Sequence, residues 1–435
     1  MKIENPNDYT PQNTIWAIIA FEGPDRYSLA GGLGVRVSEL SESLAALGYE
    51  THLIFAGNPT MAAASIDLEN RHLWRVAQEV SKRYPKGVYE GEEEKLISFE
   101  QETPSIVLNL ARRAQEQNKR LVLLGEDWQT AATMIAVHER LYWQGLLDNV
   151  VLLWNANSTF GFNRIDWPRL DEHVTITGVS RYMKQKLLSH GIESLVIPNG
   201  IPDRHLERID REAVKAMRDH TEGRILLTKF ARFDPDKNWL PAVQAVARLK
   251  AMGERPLFFV RGGIESYGVV VINEMKTLGL RVVDLTMSSP TAEEFFAAVE
   301  KLKEEADIVL LRFFVPEAIQ RILYSASDAV LANSVHEPFG LVGLEVMAAR
   351  GVAFVGSTGE DYAMHLLNSV SLDTTDPNEI VANLIYLHHN PTMVHDLRRL
   401  GHITARLYVW PRVVKDIINK LSYVEMTVPR QAPHH

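Results

Sequence analysis

Two glutamates, Glu337 and Glu345, lie eight residues apart in Asn333-Ser334-Val335-His336-Glu337-Pro338-Phe339-Gly340-Leu341-Val342-Gly343-Leu344-Glu345. An apolar run, Asp328 to Ala332, precedes them and reads as a buried strand; a Leu/Val/Met/Ala helix follows. Pro338 is tolerated in a first helical turn, where its missing N–H costs nothing. Glu337 is then expected at the helix mouth and Glu345 about two turns further in, at ~3.6 residues per turn. Small ligands bind at strand-to-helix switches of α/β sheets, where free backbone N–H groups face any anion. The plainer alternative makes Glu337 a helix cap and Glu345 a surface residue.

A pair of cations lies on another such switch. Leu226 to Ala231 reads as a strand, followed by Arg232-Phe233-Asp234-Pro235-Asp236-Lys237-Asn238 and a helix to Met252. Arg offers phosphate oxygens a planar fork and Lys a compact point charge, here on one loop beside a helix N-terminus. Two solvated charges in a polar turn are the alternative. Arg261-Gly262-Gly263 follows the next strand and lines the same edge. Asp234 and Asp236 have the spacing of a metal pair, but Pro235 lies between them and Lys237 adjoins. They read as turn and cap residues, so no metal site is expected. His138-Glu139 begins an H-E-x-x-H pattern that Tyr142 breaks, and the adjacent His388 and His389 cannot share a helix face.

Earlier in the chain, Thr14 to Phe21 is β-rich and runs into Leu29-Ala30-Gly31-Gly32-Leu33-Gly34. A helical pattern over Val35–Leu47 and a strand at Thr51–Ala56 complete a βαβ unit. Its glycines, Gly31, Gly32 and Gly34, let backbone approach a phosphate, or simply make a tight turn. They do not fit the G-x-G-x-x-G dinucleotide fingerprint. Arg120 to Leu124 is a strand ending in Gly125-Glu126-Asp127-Trp128-Gln129-Thr130, and Val150 to Leu153 is another, ending in Trp154-Asn155-Ala156-Asn157-Ser158. Amides, hydroxyls and aromatic faces such as these suit a sugar, although Asn and Ser also make loops unaided.

The E-P-F-G-L-V-G-L-E stretch resembles the E-x(7)-E signature of retaining, nucleotide-sugar-dependent glycosyltransferases of the GT-B fold, the family of glycogen-, starch-, sucrose- and trehalose-forming enzymes. The resemblance implies that Glu337 contacts the transferred sugar and Glu345 the nucleotide ribose, with Phe339, Gly340 and Leu341 between them at the donor. Arg232 and Lys237 match the family's pyrophosphate clamp, and Arg261 and Gly262 line the donor edge. The Gly31–Gly34 turn, Leu33 included, would touch the donor phosphates. Glu126, Asp127 and Gln129 fall on a turn that looks like the H-D-W-H-T of starch synthases, with Glu126 and Gln129 in place of the histidines. With Asn155 and Asn157 they are the sugar or acceptor candidates. Leu29 stands where glycogen and starch synthases usually carry a lysine.

Alternation of strand and helix from 224 to 360 predicts a parallel doubly wound sheet. With the resemblance, the expected fold is α/β, two Rossmann-like domains facing across a cleft. The first spans 1–200 and the second 201–410, with a helix over 411–423 returning to the first. Pro198-Asn199-Gly200-Ile201-Pro202 is the stiff junction. Residues 60–120 read as amphipathic helix plus an acidic loop, Gly87 to Glu94.

With 435 residues, 46% hydrophobic and 23% charged, the chain is an ordinary globular protein. Its net charge of −9 argues against a general polyanion or nucleic-acid binder. The absence of cysteine excludes disulfides, thiolate catalysis and Cys-ligated zinc. Met1 to Gln12 is polar without an apolar leader, no run of ~18 apolar residues occurs, and a cytoplasmic protein is expected. Gln431–His435 is set aside as a tail. The expected activity is transfer of a hexose, glucose first, from a donor such as UDP- or ADP-glucose to a hydroxyl acceptor (a sugar, glucan or small polyol). No cofactor or metal is expected. The alternatives are an epimerase or phosphorylase of the same fold, although no context for a pyridoxal phosphate lysine is found, or a sugar-nucleotide-binding protein without turnover.

Overall fold

The computed structural model describes residues 9–427. Most of the polar N-terminal segment, Met1 to Asp8, and the tail Gln431–His435 lie outside the described residues. The chain divides into two compact units: one runs to Pro202 and takes back the chain from Tyr408, and the other is Asp203–Leu407.

The first unit is built on β1 Thr14–Ala20, β2 Glu50–Ala56, β3 Ala64–Leu68, β4 Arg71–Val76, β5 Arg120–Glu126, β6 Val150–Ala156, β7 Thr175–Gly178 and β8 Leu195–Val196. Their order is β3-β4-β2-β1-β5-β6-β7-β8. All pairs are parallel except the edge hairpin β3–β4. β1 lies near the middle and all seven of its residues are buried, as a strand covered on both faces must be. The helix from Trp410 completes this unit. It places Trp410, Val413, Val414, Ile417, Leu421 and Val424 in one core with Trp16, Ile18, Val37 and Phe55, a spacing of three and four that keeps one helix face apolar. A Cβ on Gly200 would lie 2.5 Å from the Trp410 ring, so the backbone at Gly200 packs directly against that indole.

The second unit has β9 Ile225–Phe230, β10 Pro256–Arg261, β11 Val282–Leu285, β12 Ile308–Leu311, β13 Ala329–Ala332, β14 Ala353–Val355 and β15 Val370–Ser371. The order is β11-β12-β10-β9-β13-β14-β15, all parallel. β9 and β13 are therefore neighbours, and the loops that leave their carboxyl ends, 231–238 and 333–340, lie side by side. Val335 N donates to Asp236 O at 2.8 Å and joins them.

Two expectations need correction. Residues 60–120 are not helical throughout: a hairpin of the exposed edge strand β3 and the largely buried β4 precedes a long helix, Glu92–Glu116. The acidic run is partly that helix's first turn, where Glu92, Glu93 and Glu94 face the positive end of its dipole. The helix after Glu337 begins at Leu341, so Pro338 lies in the preceding loop and Glu345 is only a little over one turn in. Gly340 delays the start because its φ of +80° is left-handed, a conformation that favours glycine. No helix of the described residues is long and apolar enough to cross a membrane.

Candidate active site

In the second unit the two motif loops meet through a charge pair. Lys237 Nζ lies 2.6 Å from Glu337 Oε2, both side chains about a fifth exposed. A third loop fixes Glu337 by its backbone: Thr358 Oγ1 accepts from Glu337 N at 2.9 Å and donates to Glu337 O at 3.2 Å. Gly359 must be glycine to come this close, because a Cβ would lie 2.2 Å from the carbonyl oxygens of Glu337 and Pro338. Glu360 on the same loop is buried, and burial first of all raises its pKa to about 7.

Arg232 is exposed, and its charge falls on Glu265. That carboxylate accepts from Phe233 N and Gly263 N, both at 3.0 Å, and so clips the 232–238 loop to the one after β10. Asp234 accepts from Asp236 N, the capping role expected of it. Gly262 leaves room for the Phe233 ring, which a Cβ would strike at 2.1 Å. Arg261 donates to Phe313 O at 3.3 Å and lies 5.6 Å from the Phe314 ring centroid. Phe339 is buried edge-on against Tyr362, and the Tyr362 hydroxyl donates to Gly340 O. Leu341 opens the helix, and Glu345 is half-buried on it, its charge reaching the buried Tyr324 hydroxyl.

The glycine turn of the first unit has a different arrangement from the one expected. The helix already begins at Gly32. Ala30 N, Gly31 N and Gly34 N all donate to one oxygen of Glu22, at 3.1, 2.8 and 3.1 Å. Its other oxygen accepts from the Tyr89 hydroxyl at 2.5 Å. Three of the N–H groups that could receive a phosphate thus hold the chain's own carboxylate. Leu33, half-buried, packs on the core. Glu22 was missed because nothing in its spacing distinguishes it from a loop acid; only the fold brings it under the turn.

Glu126 and both asparagines meet, but around a buried ion pair. Glu126 is fully buried 3.0 Å from Arg36 Nη2, and accepts from Asn155 Nδ2 at 3.0 Å and Asn157 Nδ2 at 2.5 Å. Arg36 also donates to Asn199. Its role was not legible, since it lies on an otherwise apolar helix face. A buried carboxylate with three such partners is a structural anchor first. Asp127 beside it has the left-handed φ of +64° and a pKa raised to about 7, chiefly by burial. Trp128 N and the Ser158 hydroxyl bind its carboxyl. Gln129 lies on the wall of a cavity of about 320 Å³ with Trp128, Ile135 and Arg164, its amide donating to Glu92 at 3.3 Å.

Among the described residues one group could gather round a cation: Glu50, His52 and His72, with ligand atoms within 4.8 Å of one another. Trp74 Nε1 donates to His52 Nδ1 at 2.9 Å, so the proton of the neutral ring sits on Nε2, 3.1 Å from Glu50. Arg113 and Lys119 also pair with Glu50. That bond from His52, above all, holds the Glu50 pKa at about 2. The donor set fits an ion-pair network better than a metal centre.

Residues 210–402 match the family model described as "Glycosyl transferases group 1". None of the curated proteins compared with the chain matches it in sequence. In fold it is similar to sucrose-phosphate synthase of Thermosynechococcus elongatus, with a TM-score of 0.65 and 16% identity over 95% of this chain and 99% of that one. The catalytic domain of starch synthase IV of Arabidopsis thaliana, bound to ADP and acarbose, gives 0.64 and 14% over 95% and 99%. Alr3699/HepE of Anabaena, in complex with UDP, gives 0.60 and 11% over 94% and 100%. The second unit therefore contains a glycosyl transferases group 1 domain, in a chain with the two-domain GT-B fold.

Proposed function

We propose that the chain is a retaining glycosyltransferase that moves a hexose, glucose first, from a nucleoside diphosphate sugar to a hydroxyl acceptor without a metal ion. The observation that carries this reading is the Lys237–Glu337 pair, held at 2.6 Å where the loops after β9 and β13 meet. Departure of a nucleoside diphosphate builds negative charge on phosphate, which fixed cations stabilise without reorganisation. Arg232 and Lys237 supply them on one loop. Glu337 would accept hydroxyl hydrogens of the hexose, its backbone clasped by Thr358, and Glu345 would hold the ribose. The acceptor would lie on the first unit, near Asp127 and Gln129. The named relatives support a nucleotide-sugar donor, because two of them hold ADP or UDP.

Nucleotide release, measured over a panel of UDP-, ADP- and GDP-sugars with and without simple acceptors, tests the reading. Release that requires an acceptor is expected. A second reading, a sugar-nucleotide-binding protein without turnover, is favoured by the Glu22 carboxylate in the glycine turn. Thermal stabilisation by a nucleotide sugar with no release would establish it in place of the first.

A further inference from the structure

Beneath the loops of Lys237 and Glu337 lies a second lysine that the motifs do not include. Lys229, on β9, is 1% exposed. Its ammonium donates to Leu331 O at 3.0 Å and to Asn333 Oδ1 at 2.6 Å, and lies 5.1 Å from the Trp239 ring centroid. A charge this deep is tolerated only with such partners. Asn333 is oriented by the contact: with Oδ1 on the ammonium, its Nδ2 faces Asn238 O at 3.4 Å. Asn238 adjoins Lys237, and Val335 N reaches back to Asp236 O at 2.8 Å. One run of bonds therefore starts at Lys229 and ends in both loops. The charged groups felt at Lys229 are Lys237 and Glu337; burial first, then Lys237, lowers its pKa to about 7.

We propose that Lys229 is a positioning residue for transfer, whose buried ammonium fixes Asn333 and, through it, the placement of Lys237 against Glu337. The kinetic part rests on the transferase reading; the structural part does not. Misplacing reacting groups slows the chemical step more than it weakens ground-state binding.

The test compares wild type with Lys229→Met, which fills the slot without a donor, and Lys229→Gln, which keeps one. Hydrogen exchange by mass spectrometry comes first. Segments 232–240 and 331–338 of Lys229→Met should exchange faster, the Val335 amide included, while segments of the first unit stay as in wild type. Kinetics follow with whichever donor the wild type turns over. In Lys229→Met, kcat should fall about tenfold or more while donor KM and the Kd of the bare nucleoside diphosphate stay within about threefold, and Lys229→Gln should recover part of the loss. A wild type that turns over no donor defeats the transferase reading, and exchange alone then decides the inference. Unchanged exchange in the two segments overturns it, and so does an unchanged kcat or a loss confined to KM. If Lys229→Met does not fold, Lys229→Gln and Asn333→Ala, which withdraws the acceptor and leaves the lysine, are read in the same two assays, and wild-type exchange and kcat in both overturn it.

Discussion

At Lys237 and Glu337 the two residues chosen for separate roles turn out to be each other's partners, and this changes what their substitution should do. Lys237→Ala is expected to lower kcat by ~10²-fold or more, about 2.7 kcal/mol, the usual cost of removing one charge-stabilising donor. Because the same change leaves Glu337 without its cation, Lys237→Ala and Glu337→Gln should not add: the double variant is expected to lose less than the sum of the two, measured as a cycle of kcat values. Full additivity would mean that the 2.6 Å pair plays no part in turnover. Glu345 is a different case, one helical turn away on Leu341–Ala348. Glu345→Gln should weaken the bare nucleoside diphosphate in calorimetric titration, whereas Glu337→Gln should leave that affinity alone and slow transfer. Equal affinities in wild type and Glu345→Gln would remove the ribose from Glu345. The residue types and spacing of this site were readable in the sequence. Its pairings were not: Lys237 reaches across 100 residues and Lys229 across 104, and no local pattern records such distances.

Elements were legible where two-sided burial makes an apolar run and failed where the edge strand is exposed or the buried side chains are charged. β1, β5 and β9 are apolar runs and fall where the sequence puts them, within a residue or two. β4 hides its pattern because Arg71 and Arg75 are buried, bonded to Asp67 and Asp25, and a strand with buried arginines does not alternate in the usual way. The turn after β5 shows the same limit: Asp127 looks like a loop acid, and only the structure gives it a left-handed backbone and a burial-raised pKa near 7. That shift has a sign. An acid whose folded pKa lies above its ordinary value of 3.8 stabilises the fold most at low pH and loses that contribution as pH rises through about 7. Asp127→Asn, which keeps an acceptor for Trp128 N and never ionises, should therefore gain stability relative to wild type between pH 5 and pH 8. The expected gain is roughly 2.7 kcal/mol, read from urea unfolding at the two pH values. An equal difference at both would place the Asp127 titration elsewhere.

For the molecule as a whole, the sequence already implied two parallel α/β units, because strand and helix alternate through most of the chain and the glutamate stretch resembles a GT-B family. The charge arrangement bears on a last prediction about metal and stereochemistry together. A transferase that neutralises its donor diphosphate with a divalent ion presents a carboxylate pair to hold it. Asp234 and Asp236 have that spacing, yet Asp234 caps its own turn by accepting from Asp236 N, and Lys237 is already paired with the nearest motif carboxylate. Glu22 in the glycine turn likewise faces backbone amides. Compensation by Arg232 and Lys237 predicts that turnover persists in excess chelator. The family resemblance adds that an α-linked donor should give an α-linked product, the acceptor hydroxyl attacking from the face the diphosphate leaves. The anomeric proton signal of the product, followed by NMR in chelator, reads both at once. An α-linked product formed at the uninhibited rate is expected. A β-linked product overturns the retaining assignment, and turnover lost in chelator and restored by magnesium or manganese overturns the protein-only charge compensation.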